Sequence, residues 1–111
     1  MEELCFAVQG SAPEPYEVRF IRRQNGNLTA YCTCAAGLVG QYCKHRFRIL
    51  AGDPEGVVST NLQQVSIVAN WLPGTDVQEA LDELAAAEAR LADAKRLVSA
   101  AKKALAAAMK D

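Results

Sequence analysis

Residues 32–45 have the sequence CTCAAGLVGQYCKH, and this stretch decides how the rest of the chain folds. It holds three of the four cysteines and the single histidine of the chain, in the order Cys32-x-Cys34, eight intervening residues, Cys43-x-His45. Three thiolates and one imidazole form a complete tetrahedral ligand set for Zn²⁺. The stretch therefore predicts a structural zinc site with these four residues as ligands.

Two other roles for these cysteines have to be weighed against zinc. Disulfide bonds are typical of oxidising compartments, but no apolar signal segment opens the chain, so we expect a cytoplasmic protein with reduced thiols. Free thiols would leave the position of the lone histidine, two residues after Cys43, as a coincidence. Zinc accounts for all four side chains and is the interpretation that the sequence favours.

The composition indicates a small core. The chain has 111 residues, half of them hydrophobic, but aromatic residues make up only 6% and many of the others are alanines near the C-terminus. Alanine buries little area, so a domain of this kind gains from a metal that cross-links it. No apolar run approaches the roughly eighteen residues of a membrane span, so we expect no membrane-embedded segment.

Charge is distributed unevenly along the chain, although the formal net charge is only −1. Between residues 16 and 50, six basic residues stand against Glu17 alone, and a Cys₃His zinc centre would subtract about one charge there. Such a basic module predicts contacts with DNA phosphates. The alternative is a protein-interaction adaptor whose charges merely keep it soluble. The candidate phosphate-binding residues are Arg19, Arg22, Arg23, Lys44, Arg46 and Arg48.

A first strand is predicted over residues 4–9, where apolar and β-favouring residues continue until Gly10 breaks the pattern. Cys5 lies inside this strand. We expect it to be buried as a small hydrophobic residue, and it could replace a zinc ligand only if one of the other four is not used.

A β-hairpin is predicted around Asn25-Gly26, because this dipeptide between two strand-like segments is a strong turn signal. A two-residue turn would join strands 16–23 and 27–32 and would pair Phe20 with Tyr31. The alternation of side chains then divides the hairpin into a core face with Tyr16, Val18, Phe20 and Tyr31, and an outer face with Arg19, Ile21, Arg23, Leu28 and Ala30.

The hairpin would deliver Cys32 at the end of its second strand, with Cys34 pointing the same way two residues later. Residues 35–42 are interpreted as a flexible connection. A short helix is predicted over residues 44–51, and it ends at Gly52-Asp53-Pro54. Its inner side would carry Phe47, Leu50 and Ala51, and its outer side Lys44 and Arg48.

The first half of the chain resembles a known family of zinc-binding modules. The motif Tyr16-x-Val18, the hairpin, Cys32-x-Cys34, the eight-residue gap and Cys43-x-His45 are similar to the SWIM-type zinc finger, over about residues 4–52. That family is defined by Cys-x-Cys, a variable gap and Cys-x-His on a ββα arrangement. The resemblance implies the same four ligands and a binding module that contributes to DNA or protein interaction.

Residues 57–72 allow two interpretations. Apolar residues at helical spacing behind Ser59-Thr-Asn favour a helix, whereas residues 65–68 alone would also suit a strand. We favour the helix, with Trp71 packed against the zinc module or against the next helix. A role for Trp71 as a stacking platform for a nucleic-acid base is the less favoured alternative. The inner side of the helix would carry Leu62, Val65, Val68, Ala69 and Leu72.

A long helix is predicted from residue 75 onward, because Thr75-x-x-Gln78 is a capping-box candidate and no proline or glycine follows it. Two heptad series run through it without interruption, a large aliphatic residue at position a and alanine at position d. Position a holds Val77, Leu84, Leu91, Val98 and Leu105, and position d holds Ala80, Ala87, Ala94, Ala101 and Ala108. This pattern predicts a helix that associates with another helix.

Charge indicates the orientation of that association. A parallel pair would set Glu83 against Glu88 and Arg90 against Lys95, and both contacts are repulsive. An antiparallel pair brings Glu88 near Lys95 of the other helix. We therefore expect an antiparallel homodimer through residues 76–109, or a different partner chain with a similar helix.

The sequence thus predicts an α+β chain with three regions. Residues 1–52 form a ββα zinc module, 53–74 a connecting segment, and 75–111 the long alanine-rich helix. Catalysis is not expected, because four ligands fill a tetrahedral zinc and no second histidine is present as a base. No phosphate-binding loop or other signal predicts a small-molecule substrate. The expected function is a dimeric DNA-binding protein with structural zinc, or a zinc-stabilised adaptor.

Overall fold

The computed structural model describes residues 2–110. It contains a three-stranded antiparallel sheet followed by helices, which confirms the predicted α+β class. The strands lie side by side in chain order, and a short 3₁₀ turn over Leu62–Gln64 precedes the third helix. The elements are β1 (Glu2–Val8), β2 (Tyr16–Arg22), β3 (Leu28–Cys32), α1 (Ala35–Leu38), α2 (Lys44–Leu50), α3 (Val65–Trp71) and α4 (Asp76–Ala108).

The core lies between one face of the sheet and the helices α2 and α3. Val18 and Phe20 from the central strand are fully buried, and Phe6 of β1 meets Phe20 edge to face at 6.2 Å between ring centroids. The helices cover this face mainly with aliphatic side chains and one indole. Their buried members are Ile49, Leu50, Val65, Val68 and Trp71.

The hairpin exists, but its predicted register is wrong by one residue. Phe20 pairs with Ala30 and Arg19 with Tyr31, and the loop has three residues, 24–26, closed by hydrogen bonds between Arg23 and both Gly26 and Asn27. Gly26 has φ +87°, which a non-glycine residue adopts only at a cost. Because a one-residue slip reverses every side chain of a strand, Leu28 and Ala30 move to the core face.

Two side chains that were expected inside the core lie on the outer face of the sheet. Tyr31 is 51% exposed, and the guanidinium of Arg19 lies over its ring at 5.0 Å. Cys5 is also exposed, because β1 pairs with β2 so that Phe6 and Val8 face inward instead. The expectation that Cys5 is buried is therefore wrong.

The connection between the two ligand pairs is more ordered than predicted, since residues 35–38 form α1. The short helix α2 is confirmed, and its outer residues Lys44 and Arg48 are exposed. Its inner side differs from the prediction, because Ile49 is buried and Ala51 is exposed.

Residues 57–72 contain the favoured helix, but it begins later than expected. The 3₁₀ turn and α3 occupy residues 62–71, with Trp71 buried in the core and Leu62 exposed. The segment before them runs along the outer edge of β1. There Gln9 N–H donates to Gly56 O, and Val58 N–H donates to Ala7 O, both at 2.8 Å.

The long helix α4 begins where the cap predicted it. Thr75 Oγ1 accepts from the N–H of Gln78 at 3.2 Å and donates to Leu72 O at 2.7 Å. The chain divides into two compact units, Met1–Gln78 and Glu79–Asp111, so the first turn of α4 belongs to the first unit. Among the residues that the structure describes, no helix is both long and apolar enough to cross a membrane.

Candidate metal centre

The four predicted ligands lie on three different elements of the first unit. Cys32 ends strand β3, and Cys34 is the N-cap residue of α1. Cys43 is the N-cap residue of α2, and His45 lies in the first turn of that helix. Two short helices and a strand end therefore converge on one point, and the three cysteines are buried there.

The ligand atoms lie together at distances that suit one metal ion. All four lie within 4.8 Å of one another. The Cys34 and Cys43 sulfurs are 3.4 Å apart, and His45 Nδ1 lies 3.5 Å from Cys43 Sγ and 3.7 Å from Cys32 Sγ. Zn–S bonds of about 2.3 Å and Zn–N bonds of about 2.0 Å at tetrahedral angles require edges of roughly 3.5–3.8 Å. The three quoted distances are close to that range, so the cluster could hold a metal ion.

A glycine permits the close approach of α1 to β3. A Cβ on Gly37 would lie 2.3 Å from Cys32 O and 2.9 Å from Cys32 Cβ, so no larger residue fits without movement. The N–H of Gly37 donates to Cys34 Sγ at 3.3 Å. A metal-bound thiolate can accept a hydrogen bond of this kind.

The imidazole of His45 is held in place by neighbours outside the ligand set. The ring of Tyr16 lies against it, with centroids 5.0 Å apart. A Cβ on Gly10 would meet the Tyr16 ring at 2.5 Å and would lie 3.3 Å from His45 Nε2. Gly10 and Tyr16 therefore shape the pocket that orients the histidine.

The cluster shifts the pKa values of two thiols in opposite directions. Burial raises the pKa of Cys32 to about 12. Burial also acts to raise the pKa of Cys43, but hydrogen bonds outweigh it and lower that pKa to about 6. The donors are the backbone N–H of Arg46 and the side chains of Cys34, Cys32 and His45. The site thus already favours one thiolate at neutral pH.

The six candidate phosphate-binding residues differ in the contacts that they make. Arg19 pairs with Glu3 and Arg22 with Glu2, at 3.5 and 3.4 Å between side-chain nitrogen and oxygen. Arg46 donates to the backbone carbonyls of Ala30 and Gln41 and so ties α2 to β3 and to the preceding loop. The remaining three are exposed, and no ion pair engages them within residues 2–110: Arg23, Lys44 and Arg48.

The predicted association residues lie along α4. Val77, in the first unit, is half-buried against the hydrophobic core. The other large residues of the series are exposed in the second unit: Leu84, Leu91, Val98 and Leu105. The alanines of the d series from Ala80 to Ala108 are exposed as well.

Sequence reasoning missed the residues that support the metal ligands. The sequence pattern indicates only a flexible gap at Gly37 and the end of a strand at Gly10. A glycine three residues after a ligand cysteine, at the start of a possible helical turn, is the signal that could have identified Gly37. Nothing local in the sequence connects Gly10 with His45, because that contact depends on the tertiary fold.

Comparisons with known proteins identify no relative: no family model, no curated protein and no solved structure matches the chain. The function therefore has to be argued from the geometry of the chain itself.

Proposed function

We propose that the protein is a non-catalytic binding module whose first unit is folded around a structural zinc ion. The observation that carries this proposal is the convergence of Cys32, Cys34, Cys43 and His45 within 4.8 Å. Zinc is the metal that a Cys₃His set of this kind prefers, since thiolate and imidazole are its usual ligands in closed tetrahedral sites. The resemblance to the SWIM-type zinc finger supports the same assignment.

A structural role follows from the number and burial of the ligands. Catalytic zinc keeps an open position for water or substrate, whereas four protein ligands complete a tetrahedron. The three cysteines are each less than 8% exposed. The ion would join the end of β3 to the starts of α1 and α2, and in a core this small it would contribute a large part of the folding free energy.

Metal analysis of the purified protein tests this proposal. We expect one zinc per chain in the wild type, and loss of both zinc and fold in Cys34→Ser. Cys5→Ser is the matched control, because Cys5 is exposed on the other face of the sheet and should leave the zinc content unchanged. Wild-type protein that stays folded without bound metal would contradict a structural ion.

We further propose that this unit binds nucleic acid through the surface beside the metal. Tyr42 and Lys44 line a cleft of about 420 Å³ that also borders the ligands Cys34, Cys43 and His45. Tyr42 is 63% exposed and stacks on Phe47 with ring centroids 4.7 Å apart. A supported, exposed aromatic ring beside a lysine suits a base and its phosphate. Arg48, one helical turn after Lys44, would extend the phosphate contacts.

Binding to single-stranded and duplex DNA at increasing salt separates this partner from a protein partner. Phosphate contacts predict an affinity that falls steeply with salt, and Lys44→Glu with Arg48→Glu should abolish binding while zinc is retained. Tyr42→Ala should weaken single-strand binding selectively. Lys103→Glu with Lys110→Glu, which makes the same change in charge within the second unit, is the control. Absence of any binding at low salt would favour the adaptor function instead.

A further inference from the structure

The second unit carries an apolar face that no other residue of that unit covers. None of the 33 residues of α4, all within the described range, is buried. The large aliphatic residues of its a series lie 40–58% exposed, and they occupy one side of the helix at seven-residue intervals: Leu84, Leu91, Val98 and Leu105. A stripe of this length on a solvated helix indicates a partner helix.

We propose that the occupant of this face is a second copy of α4, running antiparallel, with the seam from Ala80 to Leu105. This inference does not rest on the proposed zinc or nucleic-acid binding, since it uses only residues of α4 and the Lys110 that follows it. The structure removes Val77 from the seam, because its side chain packs against the core of the first unit. The sequence pattern alone would have included it.

The register follows from matching large residues with small ones. In antiparallel pairs, layers of position a meet layers of position d. Leu84 then meets Ala101 of the second copy, and Leu91 meets Ala94. The other two layers pair Val98 with Ala87 and Leu105 with Ala80 of the second copy. Each large side chain lies against a methyl group, so the two backbones can approach closely along the whole seam.

The flanking positions distinguish the two possible orientations. The antiparallel register sets Glu88 against Lys95 of the other copy, twice by symmetry, and places no like charges opposite each other. A parallel pair would instead set Glu83 against Glu88 and Arg90 against Lys95, each also twice. The antiparallel pair thus has two attractive contacts, whereas the parallel pair has four repulsive ones. The antiparallel pair is therefore favoured.

The charge of the whole helix agrees with this orientation and with a partner identical to the chain. Residues 76–92 hold five acidic side chains and Arg90, a net charge of −4. Residues 93–110 hold five basic side chains and Asp93, a net charge of +4. Antiparallel pairing brings each half against the opposite half of the second copy. Parallel pairing would align equal charges along the full length.

Analytical ultracentrifugation of the full, zinc-loaded chain tests the pairing. We expect a dimer at micromolar concentration, and about tenfold or greater weakening in both Glu88→Lys and Lys95→Glu. The double variant should restore dimerisation, because each pair is then reversed and not lost. Asp82→Lys makes the same charge change on the side of the helix away from the seam and is the control. A monomeric wild type overturns the proposal.

Glu88→Lys also separates the two orientations. In a parallel pair this substitution would convert the Glu83–Glu88 repulsion into attraction and strengthen the dimer. In the antiparallel pair it creates a Lys–Lys contact. Strengthening by Glu88→Lys would therefore exclude the proposed arrangement even if the wild type is a dimer.

Distances between spin labels provide a second test that does not depend on stability. The symmetry axis falls between residues 92 and 93, and each residue adds about 1.5 Å along the helix. Labels at Lys103→Cys would be about 32 Å apart along the axis, and labels at Ala89→Cys about 10 Å apart, both in a Cys5→Ser background. Parallel helices would give the same separation for both labels, which is the outcome that contradicts the proposal.

Discussion

The four cysteines of the chain have different surroundings, and chemical modification should reveal the difference. Cys5 is exposed on the outer face of the sheet, whereas the other three thiols lie buried beside His45 in the candidate metal centre. We expect a thiol reagent to modify one cysteine per chain in the zinc-loaded protein, and four after chelation and denaturation. Partial burial and the carboxylates of Glu3 and Glu17 raise the pKa of Cys5, so its reaction should accelerate as the pH rises.

The variant Cys5→Ser is the control for this experiment. It should leave no reactive thiol in the zinc-loaded protein. Two or more rapidly reacting thiols in the loaded wild type would show that the cluster does not hold its metal.

Zinc affinity should depend on pH in a way that the thiol pKa values define. Zinc binds thiolates, so it must displace a proton from Cys32, whose pKa is about 12, at every pH below that value. This thiol alone weakens binding about tenfold for each unit that the pH falls. Cys43, with a pKa of about 6, adds a further dependence only below pH 6. Competition with a coloured chelator across this range measures the pH dependence, and pH-independent affinity would contradict a thiolate site.

At the scale of single residues, the sequence predicted the ligands but not their supports. Cys and His are rare in this chain, so their spacing alone identified Cys32, Cys34, Cys43 and His45. Gly10 and Cys5 could not be assigned in this way. Leu4 to Val8 are all apolar, and only the pairing of β1 with β2 decides which alternate side chains face the core.

Among the elements, the contact of α1 with β3 provides the most sensitive test of the site. Gly37→Ala would place a Cβ 2.3 Å from Cys32 O, so α1 must shift and carry Cys34 with it. Overpacking of this kind costs about 1–3 kcal/mol, and we expect zinc affinity to fall roughly tenfold or more. Chelator competition measures the change.

Gly26→Ala is the matched control for that substitution. Gly26 has φ +87°, but a Cβ there meets nothing within 4 Å, so the cost is backbone strain in the hairpin loop alone. Its effect on zinc affinity should be clearly smaller. Equal losses in the two variants would show that α1 does not position the ligands.

The sequence of the hairpin predicts the turn but does not decide the length of its loop or the register of its strands. Asn25-Gly26 predicted the turn correctly, but the same dipeptide fits both a two-residue and a three-residue loop. The longer loop forms here, with Asn25 Oδ1 accepting from the N–H of Asn27 at 3.0 Å and Gly26 in the left-handed region. The choice moves Leu28 into the core, so a difference of one loop residue reassigns an entire strand face.

For the whole molecule, removal of zinc should unfold the first unit and leave the helix of the second unit folded. A structural ion of this type contributes on the order of 10 kcal/mol, more than a core of this size can lose. We expect a chelator to unfold the first unit and to abolish the near-ultraviolet dichroism of the buried Trp71. The alanine-rich α4, with 33 residues against 4, 7 and 7 in the other α-helices, should remain helical.

Far-ultraviolet dichroism before and after chelation measures that outcome. Roughly two-thirds of the α-helical signal should persist, and it should return to its full value when zinc is restored. Retention of the near-ultraviolet signal without metal would contradict the prediction, and so would loss of the whole helical signal.

The segment between α2 and the 3₁₀ turn, residues 51–61, affects how readily the protein aggregates in concentrated solution. Its hydrogen bonds to Ala7 and Gln9, together with the Asn61 side-chain amide that donates to Cys5 O, occupy the outer edge of β1. An open strand edge recruits strands from other molecules and so begins aggregation. Because residues 5–9 of this edge are paired within the chain, they are closed to a strand from another molecule.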